Sequence, residues 1–449
     1  MSVSALSQSL SIDRERFERT LRELACIGAD PRGGVSRLGL SAAESEARAY
    51  LSDVSRGAGL VPLIDPAGNL LIRRPSADPR VPVLLLGSHL DTVRQGGWLD
   101  GAYGVVAALE VLTVLVQQAV DCRLEPVVVG FANEEGALVQ YPFWGSRALT
   151  GTLVGAEDAG DRDGRSARSY LLAAGGDPGR LADAAWQPGS IAGYLELHIE
   201  QGVVLEQRQI PIGAVHSIVG RTIFEIEVHG KSGHPGTTPM TGRKDALTAA
   251  AQLVLKVESI AAELNMCYSA MVGFLEIAPN TTNTIPGTVR LTAEIRDADG
   301  ERIRSSEAVL ESMAAEVSRD RRTEIVVRKA SQSDPVATDP AIRSAVEQAA
   351  RSLGLECLAM PSGAGHDAQI VAAIAPTGMI FVPSKDGISH AAGEDTAPDA
   401  LVCGADVLLH SVLLLGRGLD ATPVGPGVAL RTADGRPSLV GPHVDSAGG

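Results

Sequence analysis

Apolar and polar positions follow two different patterns along this chain. Through the first two hundred residues, short unbroken apolar runs such as VPVLLL at 81–86 and EPVVVGFA at 125–132 alternate with stretches of helical spacing at 14–27, at 41–58 and from Tyr103 onward. Compact apolar runs suit strands buried on both faces, and the periodic stretches suit helices lying over them. The pattern predicts a wound α/β domain reaching as far as GYLELHIEQG at 193–202. From Pro211 to Lys329 the alternation becomes residue by residue, in TIFEIEVHG, SAMVGFLEI, TVRLTAEIR and TEIVVR, with long helices expected over 243–264 and 302–317. That pattern predicts an antiparallel sheet with helices on one face. Beyond 330 the first pattern returns, with a helix from Ala341, a strand near Leu358, the loop PSGAGHDA, the strand MIFVPS and a last helix over 399–415. The expected organisation is an α/β domain in two parts, 1–211 and 330–419, interrupted by an inserted α+β domain at 212–329. A Gly-, Pro- and Ser-rich tail at 420–449 is expected to pack loosely.

At 449 residues the chain exceeds what one core holds, which agrees with two domains. A balance of 39 basic against 54 acidic residues, net -15, with no basic stripe, argues against nucleic acid as a partner. No apolar run is read as reaching the roughly 18 residues of a membrane span. The start MSVSALSQSLSIDRERFERT lacks a charged segment followed by an apolar one. A cytoplasmic protein without membrane association is the expectation. The five cysteines, Cys26, Cys122, Cys267, Cys357 and Cys403, show no CxxC spacing and read as reduced thiols, not as a disulfide framework or a thiolate metal site.

The chemistry gathers at strand ends. GSHLDTVRQGGWLDG at 87–101 puts His89, Asp91 and Asp100 into a glycine-studded turn between a strand and a helix. Glu134 and Glu135 follow another strand in FANEEG, His198 lies in LELHIEQG, and His390 lies in GISHAAGED. Singly, each has an ordinary structural reading. Together they offer imidazole and carboxylate without thiolate, a ligand set for zinc or another first-row divalent ion in a catalytic site. Two imidazole-bearing sets sharing one carboxylate would make a two-metal site. Two adjacent glutamates closing an apolar strand are costly unless something positive faces them.

These motifs, with GHPGTTPMTGRKDA, NTIPGTV, SGAGHDA and FVPSKDGISHAAGE, run in unbroken order over about 15–418. As a set they resemble the M20-type metallo-amidohydrolases of the hydantoinase/carbamoylase group, which includes N-carbamoyl-L-amino-acid hydrolases and allantoate amidohydrolases. The resemblance implies a zinc-peptidase-like α/β catalytic domain with an inserted α+β lid/dimerisation domain, and a homodimer. It implies two divalent metal ions per subunit, zinc with manganese, cobalt or nickel as alternatives. Asp100 would bridge them, His89 and His198 would complete one site, and Glu135 and His390 the other. Glu134 would be the general base, and Asp91 would hydrogen-bond His89 and fix its tautomer.

The same resemblance assigns His234 to the oxyanion, Gln201 to the neighbourhood of the substrate amide, Asn283 and Arg296 to a substrate carboxylate, and His366 to substrate contact. His216, His229, His410 and His443 read as structural or surface residues. After NEEG the chain departs from its relatives: Leu138 and Val139 replace a polar and an aromatic residue, and the loop at 155–169 is unusually charged. Both are expected near the substrate entrance. The implied reaction is hydrolysis of the C–N bond of an N-carbamoyl or related ureido acid. Allantoate is an alternative substrate, and dipeptide cleavage or deacylation an alternative activity on the same scaffold. Against the latter, general M20 peptidases usually place an acidic residue where His198 stands. A non-catalytic metal-binding protein would be expected to have lost Glu134.

Overall fold

The structure is a computed structural model that describes residues 10–75, 81–156 and 158–418, so the expected loose tail at 420–449 lies outside the described residues. Two compact units divide the chain. The first takes the residues up to His216, Thr338–Met360 and those from His366 on, and the second takes Ser217–Ala337 and Pro361–Gly365.

Strands are numbered β1 (Val61–Ile64), β2 (Leu70–Arg73), β3 (Val83–His89), β4 (Glu125–Phe131), β5 (Ile191–Ile199), β6 (Ile212–Ile218), β7 (Gly220–His229), β8 (Ser269–Ala278), β9 (Thr288–Asp297), β10 (Glu324–Ser333), β11 (Val336–Ala337), β12 (Cys357–Ser362) and β13 (Thr377–Val382). In the first unit the sheet runs β1-β2-β4-β3-β5-β13-β6. The central strands β4, β3, β5 and β13 are mutually parallel, whereas β1, β2 and β6 pair antiparallel. Every residue of β4 and β13 is buried, as their unbroken apolar sequences require of strands covered on both faces. Parallel strands put their carboxyl ends at one edge. His89 is the last residue of β3, Glu134 and Glu135 follow β4, His198 is next to last in β5, and His390 follows β13. Topology alone thus collects the polar residues there.

The helices of this unit include α1 (Arg14–Cys26), α2 (Ala42–Gly57), α3 (Ala102–Gln117) and the closing helix Pro398–Gly418. Its core joins α3 to the closing helix through Leu109, Leu112, Leu408 and Val412. The expectation that no stretch reaches membrane-span length is corrected here. Pro398–Gly416 is long and apolar enough, yet most of that stretch is buried inside the protein, which makes it a core helix.

In the second unit β10-β7-β9-β8 form an antiparallel sheet. Phe224, Ile226 and Val228 of β7 and Val289, Leu291, Ala293 and Ile295 of β9 alternate into a core shared with the helices Ala246–Ala262 and Gly300–Arg321. The first of these helices starts three residues later than its periodicity suggests. Asp245 caps it by accepting from the amides of Leu247 and Thr248, while Arg243 turns back onto the carbonyls of Pro235 and Thr238. Edge strand β8 leaves Met271, Phe274 and Leu275 exposed.

Candidate metal centre

The centre is built on Asp100. Its Oδ1 lies 3.1 Å from His198 Nε2 and 3.5 Å from His89 Nε2, and its Oδ2 lies 3.1 Å from His390 Nε2. His390 Nε2 is also 3.3 Å from Glu135 Oε1. Potential ligand atoms thus form two overlapping triads, His89–Asp100–His198 and Asp100–Glu135–His390, sharing one carboxylate. A third grouping, Glu196–His198–His366, is already committed: Glu196 accepts from Ser88 Oγ at 2.6 Å and from the Ala368 amide at 3.0 Å.

The imidazole tautomers decide what the first triad requires. His89 Nδ1 is 3.0 Å from the carbonyl of Asp91, and His198 Nδ1 is 2.8 Å from the carbonyl of Ile199. A carbonyl can only accept, so each Nδ1 carries the proton and each Nε2 turns a lone pair toward Asp100. The Gly101 amide donates to His198 Nε2 at 3.1 Å, which agrees with that tautomer. Lone pairs facing a buried carboxylate are stable only with positive charge between them, so the donor set fits a divalent cation. In the metal-free protein, protons take that part. Burial raises Asp100, but hydrogen bonds from His198, His390 and His89 reverse this and hold it well below its ordinary value. The bond to Asp100 lifts His390 to about 9.

Glu134 and Glu135 are placed by their backbone. Asn133 adopts a left-handed conformation with φ 50°. The amide of Asn133 donates to Glu44 Oε1 at 3.2 Å, that of Glu134 to Asp91 Oδ1 at 2.9 Å and that of Glu135 to Asp91 Oδ2 at 3.1 Å. Three successive amides are thereby held by two buried carboxylates. Asp91 touches His89 chiefly through its main-chain carbonyl, while its carboxylate stands 3.6 Å from Nδ1 and orients the glutamates instead. Burial pushes Glu134 well above the ordinary carboxyl range, opposed by His89 and reinforced by Glu135, Asp367 and Asp91. Burial and the Asp100 charge lift Glu135 to about 7.

Gln201 lies in the centre with φ 60°, and its Nε2 donates to Asp100 Oδ2 at 3.1 Å and to Ser389 Oγ at 3.2 Å. His366 is buried, its ring edge-on to that of His198 with centroids 4.7 Å apart. Burial and the neighbouring His198 hold it well below its ordinary value. Glu394 was given no role by the sequence, yet its Oε1 accepts from the amides of Leu99 and Asp100. Glu44 was also missed. Ser41 and Glu44 carry the S-x-x-E spacing of a helix cap, and that local signal hides the contact with Asn133. Val139 is fully buried in a cluster with Trp144 and Ala148, and its carbonyl accepts from Asn133, the residue before Glu134. Asp161 organises the charged loop by accepting from the amides of Asp163 and Arg165 and from the Tyr170 hydroxyl.

The remaining assigned residues belong to the second unit. His234 is exposed, and its Nδ1 accepts from the amides of Gly236 and Thr237, both at 3.2 Å, which leaves Nε2 as the protonated nitrogen. An antiparallel bridge between Gly233 and Ile285 ties this turn to the segment carrying Asn283, also exposed. Arg296 lies toward the other end of β9, where Nε meets Glu294 Oε1 at 2.5 Å and Nη1 donates to the Gly363 carbonyl at 3.0 Å. From Thr288 to Arg296 the strand spans roughly 27 Å at ~3.4 Å per residue, and Asn283 lies beyond Thr288.

Comparison with known proteins adds independent observations. The family described as peptidase family M20/M25/M40 matches residues 85–414. An N-carbamoyl-L-amino acid amidohydrolase of Geobacillus stearothermophilus is 37% identical over 408 residues, 91% of this chain and 100% of that protein. An allantoate amidohydrolase of Escherichia coli (strain K12) is 34% identical over 396 residues, 88% of this chain and 96% of that protein. A crystal structure of a hydantoinase/carbamoylase-family amidase from Burkholderia multivorans superposes with a TM-score of 0.83 at 34% identity, covering 93% of this chain and 100% of the other.

Proposed function

Because the chain belongs to the M20/M25/M40 peptidase family, we propose that it is a metal-dependent amidohydrolase cleaving the C–N bond of an N-carbamoyl amino acid or a related small ureido acid. The observation that carries the reading is the pair of triads sharing Asp100, with Glu134 buried beside them. His89, Asp100 and His198 would hold one divalent ion and Asp100, Glu135 and His390 a second, zinc by donor set, with manganese, cobalt or nickel also suited. Bound there, the ions would polarise the substrate carbonyl and lower the pKa of a water molecule toward neutrality.

Glu134 is the general base. Its carboxylate removes a proton from the water, the water oxygen forms a bond to the ureido carbon, and Glu134 returns the proton to the nitrogen as the C–N bond breaks. Asp91 keeps Glu134 in place through the main chain and holds His89 in the required tautomer. His234, with its proton on Nε2, donates to the developing oxyanion. Gln201 orients the substrate amide and His366 contacts substrate beside His198. Asn283 and Arg296 take the substrate carboxylate, reaching it from the partner subunit of a homodimer. The exposed apolar side chains on edge strand β8 support pairing through the inserted unit. Five free cysteines suit a reducing compartment, and we place the reaction in the cytoplasm.

The test is product release by metal-loaded protein, read as ammonia from N-carbamoyl-L-amino acids, β-ureidopropionate and allantoate and as free amino acid from N-acetyl amino acids and dipeptides. Turnover confined to dipeptides or acetyl amino acids would overturn the ureido assignment. Allantoate is itself a ureido carboxylate, so a preference for it would refine the reading.

A further inference from the structure

Glu394 is 2% exposed and sits behind another carboxylate, a costly place for a negative charge unless it is fully hydrogen-bonded. Its partners explain why it is tolerated. Oε1 accepts from the amide of Leu99 at 2.9 Å and from that of Asp100 at 3.0 Å, and Oε2 accepts from Ser389 Oγ at 2.8 Å. The indole of Trp98 donates to the Glu394 carbonyl at 3.2 Å. Ser389 immediately precedes His390, and its Oγ is also 3.4 Å from Asp100 Oδ2. One carboxylate thus touches the backbone of the shared residue and the neighbour of a residue from the second triad.

The two triads differ in how firmly the fold holds their histidines. His89 and His198 are buried strand residues whose Nδ1 atoms are fixed on carbonyls. His390 is half-exposed, has φ 56° and follows a short turn, Lys385–Gly387. A ligand on such a loop must be ordered by its surroundings before a cation gains from it.

We propose that Glu394 is a positioning residue: it fastens the backbone of Asp100 to the Ser389–His390 loop and so sets the affinity of the second cation. This rests on the two-cation reading above. Gly97 is part of the device, because a Cβ at that position would collide with the Glu394 carboxyl group.

The experiment is titration of the apoprotein with Co²⁺, followed by calorimetry and by visible absorption. Wild type should take up two ions. In Glu394→Ala and Ser389→Ala the first ion should bind as in wild type and the second about 10- to 100-fold more weakly, the usual cost of losing an outer partner of a ligand. Glu394→Gln should restore most of the second affinity, since its amide oxygen still accepts and its NH₂ can donate to Ser389 Oγ. Gly97→Ala should reproduce the Glu394→Ala profile without deleting the carboxylate, which covers the case in which Glu394→Ala does not fold. Equal weakening of both ions, or two ions at wild-type affinity in Ser389→Ala and Gly97→Ala, would overturn the role of Glu394 and leave the two-cation reading standing. A wild-type protein that takes up fewer than two ions would sink that reading and the proposal with it.

Discussion

Asp91 and Glu134 are joined through the main chain: the Asp91 carboxylate accepts the Glu134 amide at 2.9 Å, while its own carbonyl accepts from His89. One residue thereby aligns a metal-ligand candidate with the proposed base. Asp91→Ala should leave two buried amides unsatisfied and lower kcat by roughly 10- to 100-fold, in the range of lost outer-shell partners. Asp91→Asn keeps one acceptor oxygen and should fall between. Steady-state kinetics beside circular dichroism checks this, and wild-type kcat in the alanine variant would remove the role.

Glu134 and Glu135 are neighbours with different proposed tasks, and substitution should separate them. Glu134→Gln should lower kcat by about 10²- to 10⁴-fold, the contribution of a positioned acid–base group, while metal content stays at the wild-type level. Glu135→Gln should lose metal as well as rate. Elemental analysis of purified variants decides between the two.

In the apoprotein, protons occupy the places of cations, so metal uptake must release them. His390 is held near 9, above the ordinary imidazole value, so it is protonated at neutral pH and must lose its proton to bind an ion. Apparent affinity for the second ion should rise with pH until about 9 and then level off. Calorimetry in buffers of different ionisation enthalpy should show proton release at pH 7, and uptake without release would contradict the assignment. Chelation should abolish activity and lower Tm, both restored by added divalent ion.

Arg296 is paired with the partly buried Glu294 and donates to the Gly363 carbonyl, a local arrangement whose removal should cost on the order of 1 kcal/mol of stability. Its proposed task at the substrate carboxylate predicts a far larger effect on turnover. Arg296→Ala should lower kcat/KM by about 100-fold or more for carboxylate-bearing substrates, and Arg296→Lys should recover only part because an ammonium lacks the planar fork. Mixing the Arg296→Ala protein with Glu134→Gln protein should regenerate activity if subunits exchange. Exchanged mixtures that stay inactive would return Arg296 to a structural part.

How much of this was readable beforehand follows from the range of each interaction. The central strands and α3 announce themselves because burial on both faces demands continuous apolar sequence, and parallel strands then bring His89, Glu134 and His198 to one edge whatever lies between them. Contacts made through the backbone leave no such mark. Nothing in the composition of HLD says that the Asp91 carboxylate reaches forward to the Glu134 and Glu135 amides, or that Glu44 reaches from α2 to Asn133. Val139 departs from a family pattern, and nothing in that departure says that it is buried against Trp144 and Ala148.

Entry to the inserted unit and exit from it are adjacent: Ser217 pairs with Ala337 and Ile218 with Val336, while the Thr338 amide donates to the His216 carbonyl. The chain therefore enters and leaves the long excursion Ser217–Ala337 through one doorway, and belongs to the second unit again only briefly at Pro361–Gly365. Residues His89, Asp100, Glu135 and His198 precede that doorway and His390 follows it, so none of the proposed ligands lies on the excursion. Closure entropy grows only slowly with the length of a loop, which makes the size of an insertion at such a point nearly free to drift. In evolutionary terms the ion-holding scaffold and its accessory body are separately editable. A lineage could lengthen, exchange or reshape the insertion, and with it the choice of substrate, without disturbing the spacing of the ligand-bearing strands.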